Sequence, residues 1–450
     1  MESETFGGRG RIVIQGLKPY PEMKDSGVEW LGEVPAHWEV RRLKYLLKER
    51  DTRSLAGCEQ LLSVSQYNGV TKREPLGNGG LPDTRAASLV GYKRVDPDDL
   101  VVNIMLAWNG SMGVSQFPGI TSPAYCVYRF SKNSHPWYYH HLLRSSIYGA
   151  YIKAVSTGVV ESRLRLYTED LYRLETHVPP LPEQAAIVRF LNHFDRCIQH
   201  YILAKDKQTA LLEEQRRAIT QEAILSRSVA SKKIEVVADL VERPVHRVVT
   251  DTYTPIGLYN RGRGIFKKEP RKGGELGDSD FFWIEEGDLV LSGQFAWEGA
   301  IAMAGDTVSG CVASHRYPVL RGREGVLESG FLLAFFLTDW GQLLLDHHSR
   351  GAAGRNRPLN PRTLLKEKIP LPPLSHQMDI VEMLQREKLV HQHAEYYKRL
   401  LIEYRTRLIS DVVTGKLDVL KAEGELPEED VFGDAEKSVE EYRVEKDAAV

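Results

Sequence analysis

The sequence is poor in cysteine, and its few cysteines are far apart. Cys58, Cys126, Cys197 and Cys311 each stand alone, without a C-x-x-C pair or a matching histidine spacing. This pattern argues against a disulfide framework and against the usual zinc sites. We therefore expect reduced cysteines that serve packing.

Long apolar runs are also missing. No stretch approaches the roughly 20 consecutive apolar residues that a membrane span needs. Residues 1–16 lack the basic start and apolar run of a secretory signal. We therefore predict no membrane segment and expect a cytoplasmic protein.

Motifs for catalysis are missing as well. The sequence has no [N/D]-P-P-[Y/F/W] motif of amino-methyltransferases, no G-x-x-x-x-G-K-[S/T] phosphate loop and no recognisable P-D…E-x-K nuclease core. The stretch FGGRG at residues 6–10 resembles a methyl-donor loop, but no strand precedes it. Two histidine pairs, His140-His141 and His347-His348, point to different helix faces and predict no metal site.

Net charge is small because it is unevenly distributed. The formal charge of the whole chain is −2, yet residues 421–450 hold four basic and eleven acidic residues. Residues 1–420 therefore carry a net charge of +5. The acidic end has the composition of a disordered segment, whereas the body is mildly basic and compatible with a nucleic-acid partner.

The most informative feature is an internal repeat. VPPLPEQAAIV at residues 178–188 recurs as LPPLSHQMDIV at residues 371–381, and DDLVVNIMLAWNGSMG at 98–113 corresponds to GDLVLSGQFAWEGAIA at 287–302. Matches near residues 66–75 and 122–129 also recur, in the same order, at 258–270 and 314–321. A period this long predicts two whole domains related by tandem duplication.

Each copy ends in a helical pattern. After Pro180 and Pro373, apolar residues recur at helical spacing for about 40 residues. The proline pairs favour an extended entry, so each helix is expected to start after them. From Gln184 to Ile219 is 35 residues and from Gln377 to Ile409 is 32, so the first helix appears three residues longer.

We predict an α/β (mixed α+β) fold: two similar globules with a pseudo-twofold internal repeat, separated by two long antiparallel, coiled-coil-like helices. Helices of this length are too long to pack only on one such globule, so we expect them to pack on each other. The predicted segments are a first globule at 1–180, a first helix at 181–230, a second globule at 231–371, a second helix at 372–420 and an acidic tail at 421–450.

The ordered motifs resemble one known family. KPYPEMKDSGVEWLGEVPAHWEVRRLKYLL at 18–47, the PPLPEQ helix entry, the AWNG and AWEG segments and LISDVVTGKLDV at 408–419 are together similar to the specificity subunit of type I restriction-modification systems. The second helix entry departs from the family pattern at Ser375 and His376 but keeps Gln377.

The resemblance implies a non-catalytic, DNA-binding chain that recognises a bipartite site. Its globules would be target recognition domains for double-stranded DNA, and its helices would bind two modification subunits, with restriction (motor-nuclease) subunits joining for cleavage. S-adenosylmethionine, ATP and Mg are then expected on the partner subunits, with no cofactor on this chain.

Candidate DNA contacts are cationic and amide side chains in glycine-rich segments, because such groups bind phosphates and base edges. They are Asn68, Lys72, Arg73, Arg163 and Arg165 in the first globule, and Asn260, Arg261, Arg263, Lys267, Lys268, Arg350, Arg355 and Arg357 in the second. Each of these residues could equally belong to a solvated basic loop. For Trp108 and Trp297 we favour packing in a loop or core over contact with a base.

Two other functions stay open on the sequence alone. One is a single-chain DNA methyltransferase, which the missing catalytic motif disfavours. The other is a two-lobed scaffold that binds only proteins.

Overall fold

The computed structural model describes residues 17–73, 86, 88–158, 160, 163–226, 229–351 and 357–427. Arg355, the stretch 6–10 and most of the predicted acidic tail, from residue 428, lie outside the described residues. The chain divides into two compact units: unit 1 is Met1–Leu203 with Tyr397–Val450, and unit 2 is Ala204–Tyr396.

Unit 1 is built from short strands followed by helices. Its strands are β1 Met23–Asp25, β2 Glu33–Pro35, β3 Glu39–Arg42, β4 Leu47–Glu49, β5 Leu62–Ser65, β6 Gly69–Lys72, β7 Lys93–Val95, β8 Leu100–Asn103, β9 Met112–Val114, β10 Gly119–Thr121, β11 Tyr125–Phe130 and β12 Glu175–Val178. Its shorter helices are α1 Pro136–Leu143, α2 Ser146–Val155 and α3 Thr168–Arg173. The long helix α4, Leu181–Leu225, begins in this unit.

Unit 2 repeats this plan. Its strands are β13 Ala230–Lys233, β14 Ala238–Val241, β15 Thr252–Tyr253, β16 Ile256–Leu258, β17 Ile265–Lys267, β18 Arg271–Lys272, β19 Phe281–Trp283, β20 Leu289–Leu291, β21 Ile301–Met303, β22 Val312–Ser314, β23 Val319–Gly322 and β24 Lys368–Leu371. Its shorter helices are α5 Ile234–Val237, α6 Ser329–Phe336, α7 Asp339–His347 and α8 Pro361–Leu364. The long helix α9, Leu374–Val413, begins here, and a short helix α10, Leu420–Gly424, follows it in unit 1.

Sheet topology confirms the duplication. The four-stranded antiparallel sheets have corresponding orders, β4-β11-β8-β9 and β14-β23-β20-β21. The ribbons β5-β6, β7-β10 and β3-β12 of unit 1 likewise correspond to β16-β17, β19-β22 and β13-β24 of unit 2. The mixed α+β class with two similar globules is therefore confirmed.

The two long helices start where the prolines predict. Helix α4 begins directly after Pro180 and α9 directly after Pro373. They contain 45 and 40 residues, so α4 is longer by five residues rather than three. Helix α9 is stopped by Gly415, whose φ of +74° favours glycine and where a Cβ would lie 2.5 Å from Cδ of Pro35.

Within each unit, the helices contact each other and also the globule. In unit 1, Arg405 of α9 donates to both carboxylate oxygens of Asp195 on α4, at 2.7 and 2.6 Å. In unit 2, Arg216 donates to Glu387 at 2.8 Å. From the first pair to the second, the residue number on α4 increases from 195 to 216 while that on α9 decreases from 405 to 387, so the two helices are antiparallel. The expectation that they pack mainly on each other was too narrow, because Ile187 and Leu191 lie in the core of the unit 1 globule.

A buried glutamine ties each helix start to its globule. Gln184 accepts the backbone N–H of His135 at 2.8 Å and donates to Pro179 O at 2.8 Å. Gln377 makes the equivalent bonds to Glu328 N and Pro372 O, both at 2.9 Å. His135 and Glu328 are the residues that precede α1 and α6, so this side chain fixes the angle between two helices in both units.

The residue before this glutamine shows why the second helix-entry motif differs from the first. Glu183 is buried and accepts hydrogen bonds from Tyr20 at 2.6 Å, Trp38 at 2.9 Å and His37 at 2.8 Å. These donors belong to the N-terminal segment, which occurs once in the sequence. In unit 2 the same position is His376, which is exposed.

A second duplicated feature is a buried aspartate between two arginines. Asp288 is fully buried and binds Arg243 at 2.8 Å and Arg321 at 3.2 Å. In unit 1, Asp99 binds Arg50 at 2.9 Å and Arg129 at 3.2 Å. Each aspartate directly precedes a strand, β8 or β20, and its arginines lie on or near other strands, so each network joins separate segments of one globule.

Candidate nucleic-acid interface

In unit 2, the connection between β16 and β17 presents two predicted contacts, Arg261 and Arg263. Both are exposed, and Arg261 has φ of +59°, a left-handed conformation that is uncommon for arginine. Arg263 donates to Asn260 O at 3.0 Å, and its guanidinium lies 5.7 Å from the centre of the Tyr259 ring. We call residues 259–264 the hairpin loop of unit 2.

The hairpin loop is held against a short 3-10 turn, Ala296–Glu298, which we call the Trp turn. Arg261 N donates to Glu298 O at 3.1 Å and Gly262 N donates to Gly299 O at 2.7 Å. The Asn260 side chain also binds the Glu298 carboxylate, so its amide is engaged within the protein. These bonds fix the backbone of the loop and leave the arginine side chains to solvent.

Trp297 is a packing residue of this turn, as we favoured from the sequence. Its ring N–H donates to Gln294 O at 3.1 Å, and its backbone oxygen accepts from Gln342 of α7. The guanidinium of Arg357 lies 4.8 Å from the centre of its ring. The indole therefore joins the turn to the segment that carries Arg357.

The described part of that segment, residues 349–351 and 357–359, is joined by a bridge between Ser349 and Leu359, and we call it the bridged loop. Arg357 pairs with Asp346 at 2.7 Å and donates to Ser349 O at 3.2 Å, so its charge is largely used to hold the loop. Arg350 is exposed and donates to His347 O at 3.2 Å. Arg355 lies outside the described residues.

The remaining predicted contacts of unit 2 are Lys267 and Lys268, which are exposed at the end of β17. Lys268 N donates to Pro255 O at 2.8 Å, which continues the hairpin pairing. These lysines are therefore on the same hairpin as Arg261 and Arg263 but beyond the loop itself.

In unit 1, the hairpin β5-β6 carries Asn68 in its loop and Lys72 at its end. Residues 66–68 are exposed and form the hairpin loop of this unit. Lys72 lies 4.6 Å from the centre of the Phe117 ring, and Arg73, also exposed, donates its backbone N–H to Leu61 O at 2.9 Å. The loop is shorter and less basic than its counterpart.

Sequence reasoning missed Arg144, which holds the unit 1 loop in place. Its guanidinium donates to Gln66 O and Tyr67 O at 2.9 Å, to Met112 O at 2.6 Å and to Gly110 O at 3.1 Å. Burial lowers the pKa of this arginine to about 10. The sequence contained a signal for a special role of Arg144. The repeat offset of 193 places Leu337 at the matching position of unit 2, so a charged residue in unit 1 replaces an apolar one.

Arg163 and Arg165 lie in the bridged loop of unit 1, which is closed between Thr157 and Arg165. Both side chains are exposed. Leu166 N donates to Ile104 O at 2.9 Å, and in unit 2 Leu359 N donates to Gly293 O at 2.8 Å. The same backbone bond thus attaches the bridged loop beside the Trp turn in both units; in unit 1 that turn is Ala107–Asn109.

The structure therefore brings together predicted residues that are distant in the sequence. In each unit, the hairpin loop and the bridged loop flank one Trp turn. In unit 2 both loops carry exposed arginines, whereas in unit 1 the exposed arginines, Arg163 and Arg165, lie in the bridged loop. Such a surface can bind phosphates by charge and can carry side chains to base edges.

The described residues contain neither a metal-binding cluster nor a membrane-spanning helix. Among residues 17–427 that the structure describes, no group of three or more His, Cys, Asp and Glu side chains is arranged to hold a metal ion. His348 instead lies 2.9 Å from Thr363 Oγ1 and 3.0 Å from Glu367 Oε1. In the same residues, no helix has the length and hydropathy to span a membrane.

Comparison with known proteins gives a match in structure but none in sequence. No protein-family model matches, and no curated protein is a significant match. A chain from "Structural basis underlying complex assembly and conformational transition of the type I R-M system" has a TM-score of 0.56 at 17% identity, covering 85% of this chain and 99% of that chain.

Two further structures are the HsdS subunit from Thermoanaerobacter tengcongensis and the type-I restriction-modification S subunit from M. genitalium. The first has a TM-score of 0.45 at 17% identity, covering 84% of this chain and 96% of that one. The second has a TM-score of 0.42 at 11% identity, covering 85% and 96%. Because these two TM-scores are below 0.5, the structural likeness rests on the first match, the chain of the type I R-M system. It confirms the sequence resemblance at the level of the fold.

Proposed function

We propose that this chain is the non-catalytic specificity subunit of a type I restriction-modification complex. Each globule would recognise one half of a bipartite site on double-stranded DNA. The observation that carries the proposal is the duplicated surface: in both units a hairpin loop and a bridged loop flank one Trp turn with exposed cations. The shared fold with a chain of a type I R-M system supports it.

The proposed partners are two modification subunits and the restriction (motor-nuclease) subunits, in the cytoplasm. S-adenosylmethionine, ATP and Mg would belong to those partners. The sequence lacks the corresponding motifs, and the side chains at the candidate interface are mainly cations and amides rather than metal ligands or nucleophiles.

The first prediction separates this function from the two alternatives. The purified chain with labelled S-adenosylmethionine is expected to transfer no methyl groups to duplex DNA. Combined with its modification subunits, it is expected to direct adenine methylation to one split sequence, read by methylome sequencing. Methyl transfer by the partner-free chain would identify a single-chain methyltransferase. A complex that assembles but shows no DNA affinity would identify a protein-binding scaffold.

The second prediction concerns the hairpin loop of unit 2. Arg261→Glu combined with Arg263→Glu is expected to weaken binding of the complex to its native site by at least about tenfold, because each lost base or phosphate contact is worth about 1–3 kcal/mol. Both side chains are exposed, so assembly with the modification subunit should survive. Binding is measured by fluorescence anisotropy at several salt concentrations.

A matched control tests whether total charge alone is responsible. Lys366→Glu with Lys368→Glu makes the same charge change at two exposed lysines of unit 2 outside the hairpin loop, the Trp turn and the bridged loop. We expect this variant to lose much less affinity. Equal losses in the two variants would contradict the assignment of the hairpin loop.

A further inference from the structure

Each unit exposes one large apolar side chain at the residue that precedes its Trp turn. Leu106 in unit 1 is 40% exposed and Phe295 in unit 2 is 37% exposed. The two residues occupy the same place in the repeat and have the same backbone conformation, with φ of −129° and ψ of 13° and 17°. The duplication has therefore kept an exposed apolar residue at this point while changing its identity.

The turn that follows each of these residues is fixed by a buried alanine and by a backbone hydrogen bond. Ala107 and Ala296, the next residues in the chain, are completely buried. Backbone bonds from Ser111 N to Leu106 O and from Ala300 N to Phe295 O, both at 3.1 Å, close the turn behind them. Because the backbone is fixed in this way, the exposed side chain has a defined position.

Cations flank this position on both sides in unit 2. The hairpin loop with Arg261 and Arg263 bonds to Glu298 and Gly299 at the end of the turn. The bridged loop is attached at Gly293, two residues before Phe295. An exposed aromatic ring thus lies between two segments that carry exposed arginines.

Unit 1 has the same turn and the same two flanking loops, with its exposed arginines on the side of the bridged loop. Arg144 connects the hairpin loop to Gly110 at the end of the turn, and the bridged loop with Arg165 is attached at Ile104, two residues before Leu106. An exposed apolar side chain next to exposed arginines is complementary to a DNA groove, where phosphates border the thymine methyl groups and base faces. An acidic protein partner would match the cations, but it would not require an apolar residue at the same point in both units.

We infer that Leu106 and Phe295 are apolar base-contacting residues, each helping to specify one base pair in the half-site read by its own unit. This inference rests on the proposed function and adds which side chains help to select the DNA sequence. Phosphate contacts from the flanking arginines would position the DNA, and the apolar side chain would enter the groove between them. The difference between leucine and phenylalanine would then contribute to the difference between the two half-sites.

The experiment uses the complex of the full chain with its modification subunits, and the native site is first read by methylome sequencing. Phe295→Ala is expected to reduce affinity for the native site about tenfold and to relax preference at one position of one half-site. Leu106→Ala is expected to do the same in the other half-site only. Affinity for random duplex, and its dependence on salt, should not change, because no cation is removed.

Two further variants complete the design. Phe295→Leu keeps an apolar side chain and places the unit 1 residue in unit 2, so it should change the preferred base while retaining most of the affinity. Val236→Ala is the control, since Val236 is a comparably exposed aliphatic residue in α5 of the same unit, outside the candidate interface. It should leave both half-sites unchanged.

The outcomes distinguish this inference from the proposed function. Unaltered half-site preference in Phe295→Ala and Leu106→Ala, or a change in both half-sites from one substitution, would overturn the base-contact role while the proposed function stands. A wild-type complex that methylates without sequence preference would overturn the proposed function itself.

Discussion

Asp288→Asn is expected to lower the free energy of unfolding of unit 2 by about 3 kcal/mol, the lower end of the range for breaking a buried ion pair. Asp288 is fully buried, while the side chains of Arg243 and Arg321 keep partial contact with solvent. Its carboxylate also accepts the backbone N–H of Glu285 at 2.9 Å. Removal of the negative charge leaves the guanidinium groups of Arg243 and Arg321 next to a buried amide, which does not neutralise their positive charge.

The neighbouring carboxylate provides the control. Glu285 pairs with the same arginines, at 3.0 and 3.5 Å, but its side chain is half-exposed. Because exposed pairs contribute little, Glu285→Gln should cost less than about 1 kcal/mol. Chemical denaturation of the three proteins, with hydrogen exchange to assign the loss to unit 2, measures the difference. Similar losses from the two substitutions would show that burial of Asp288 does not set its contribution.

The sequence predicted the fold well where the signal was local or duplicated. Proline pairs before a long helical period are sufficient to place the starts of α4 and α9, because proline favours an extended entry and the period then shows the packed face. The repeat predicted two similar globules without any knowledge of their strands. The helix ends differ from the predicted bounds, since α4 ends at Leu225 and α9 at Val413. The end of α9 depends on the contact between Gly415 and the distant Pro35, which the sequence does not show.

Contacts between distant segments could not be predicted in this way. Asp99 and Asp288 stand at matching places in the repeat, but their arginine partners lie in other segments, and one sequence does not show which segments meet. The same holds for Arg144, whose role appears only when the hairpin loop and α1 are brought together.

The apolar run DLVVNIML at residues 99–106 shows a second limit of the sequence pattern. It has the composition of a buried strand, yet β8 ends at Asn103 and the run continues into a turn where Met105 and Leu106 are exposed. Periodicity does not separate buried from exposed apolar residues in so short a run. Such disagreement between local pattern and structure is typical of functional positions, which fits the inference drawn for Leu106.

The candidate interface was predicted in part. Glycine-rich basic segments correctly indicated loops with exposed cations, as at Arg261, Arg263 and Arg350. Composition could not show that Arg357 and Asn260 are engaged by Asp346 and Glu298, since these partners are remote or on another segment. Whether each remaining residue binds DNA stays a prediction.

Unit 1 is expected to lose stability in mild acid before unit 2 does, because it buries histidines. Burial lowers the pKa of His177 to about 4 and is also the main cause that lowers the pKa of His141 to about 4. Around His141, Arg405 and Arg144 act in the same direction, whereas Asp195 and Asn192 oppose them. The repeat places Pro370 and Ala334 at the matching positions of unit 2.

The sign follows from the two protonation states. In the unfolded chain a histidine has a pKa of about 6.5 and takes up a proton below it, while the buried histidine stays neutral until pH falls towards 4. The contribution to stability is therefore complete above about pH 6.5 and declines between pH 6.5 and 4. At pH 5 each of these two histidines is expected to cost about 2 kcal/mol. His140 of α1 adds to the cost in unit 1, because burial holds its pKa well below the usual value.

Hydrogen exchange at pH 7.5 and pH 5.0, corrected for the intrinsic effect of pH on exchange, compares the two units in one experiment. Protection of α1 and β12 should fall more than protection of α6 and β24, their counterparts in unit 2. In His141→Ala, which introduces the residue that unit 2 has at this place, the acid-induced loss in unit 1 should shrink by about 2 kcal/mol, whatever the substitution costs at pH 7.5. His141→Ala also leaves a cavity, but its cost in stability is the same at both pH values and cancels when the two are compared within this variant. An equal acid response of the two units, or an unchanged response in His141→Ala, would show that these buried histidines do not control the acid stability of unit 1.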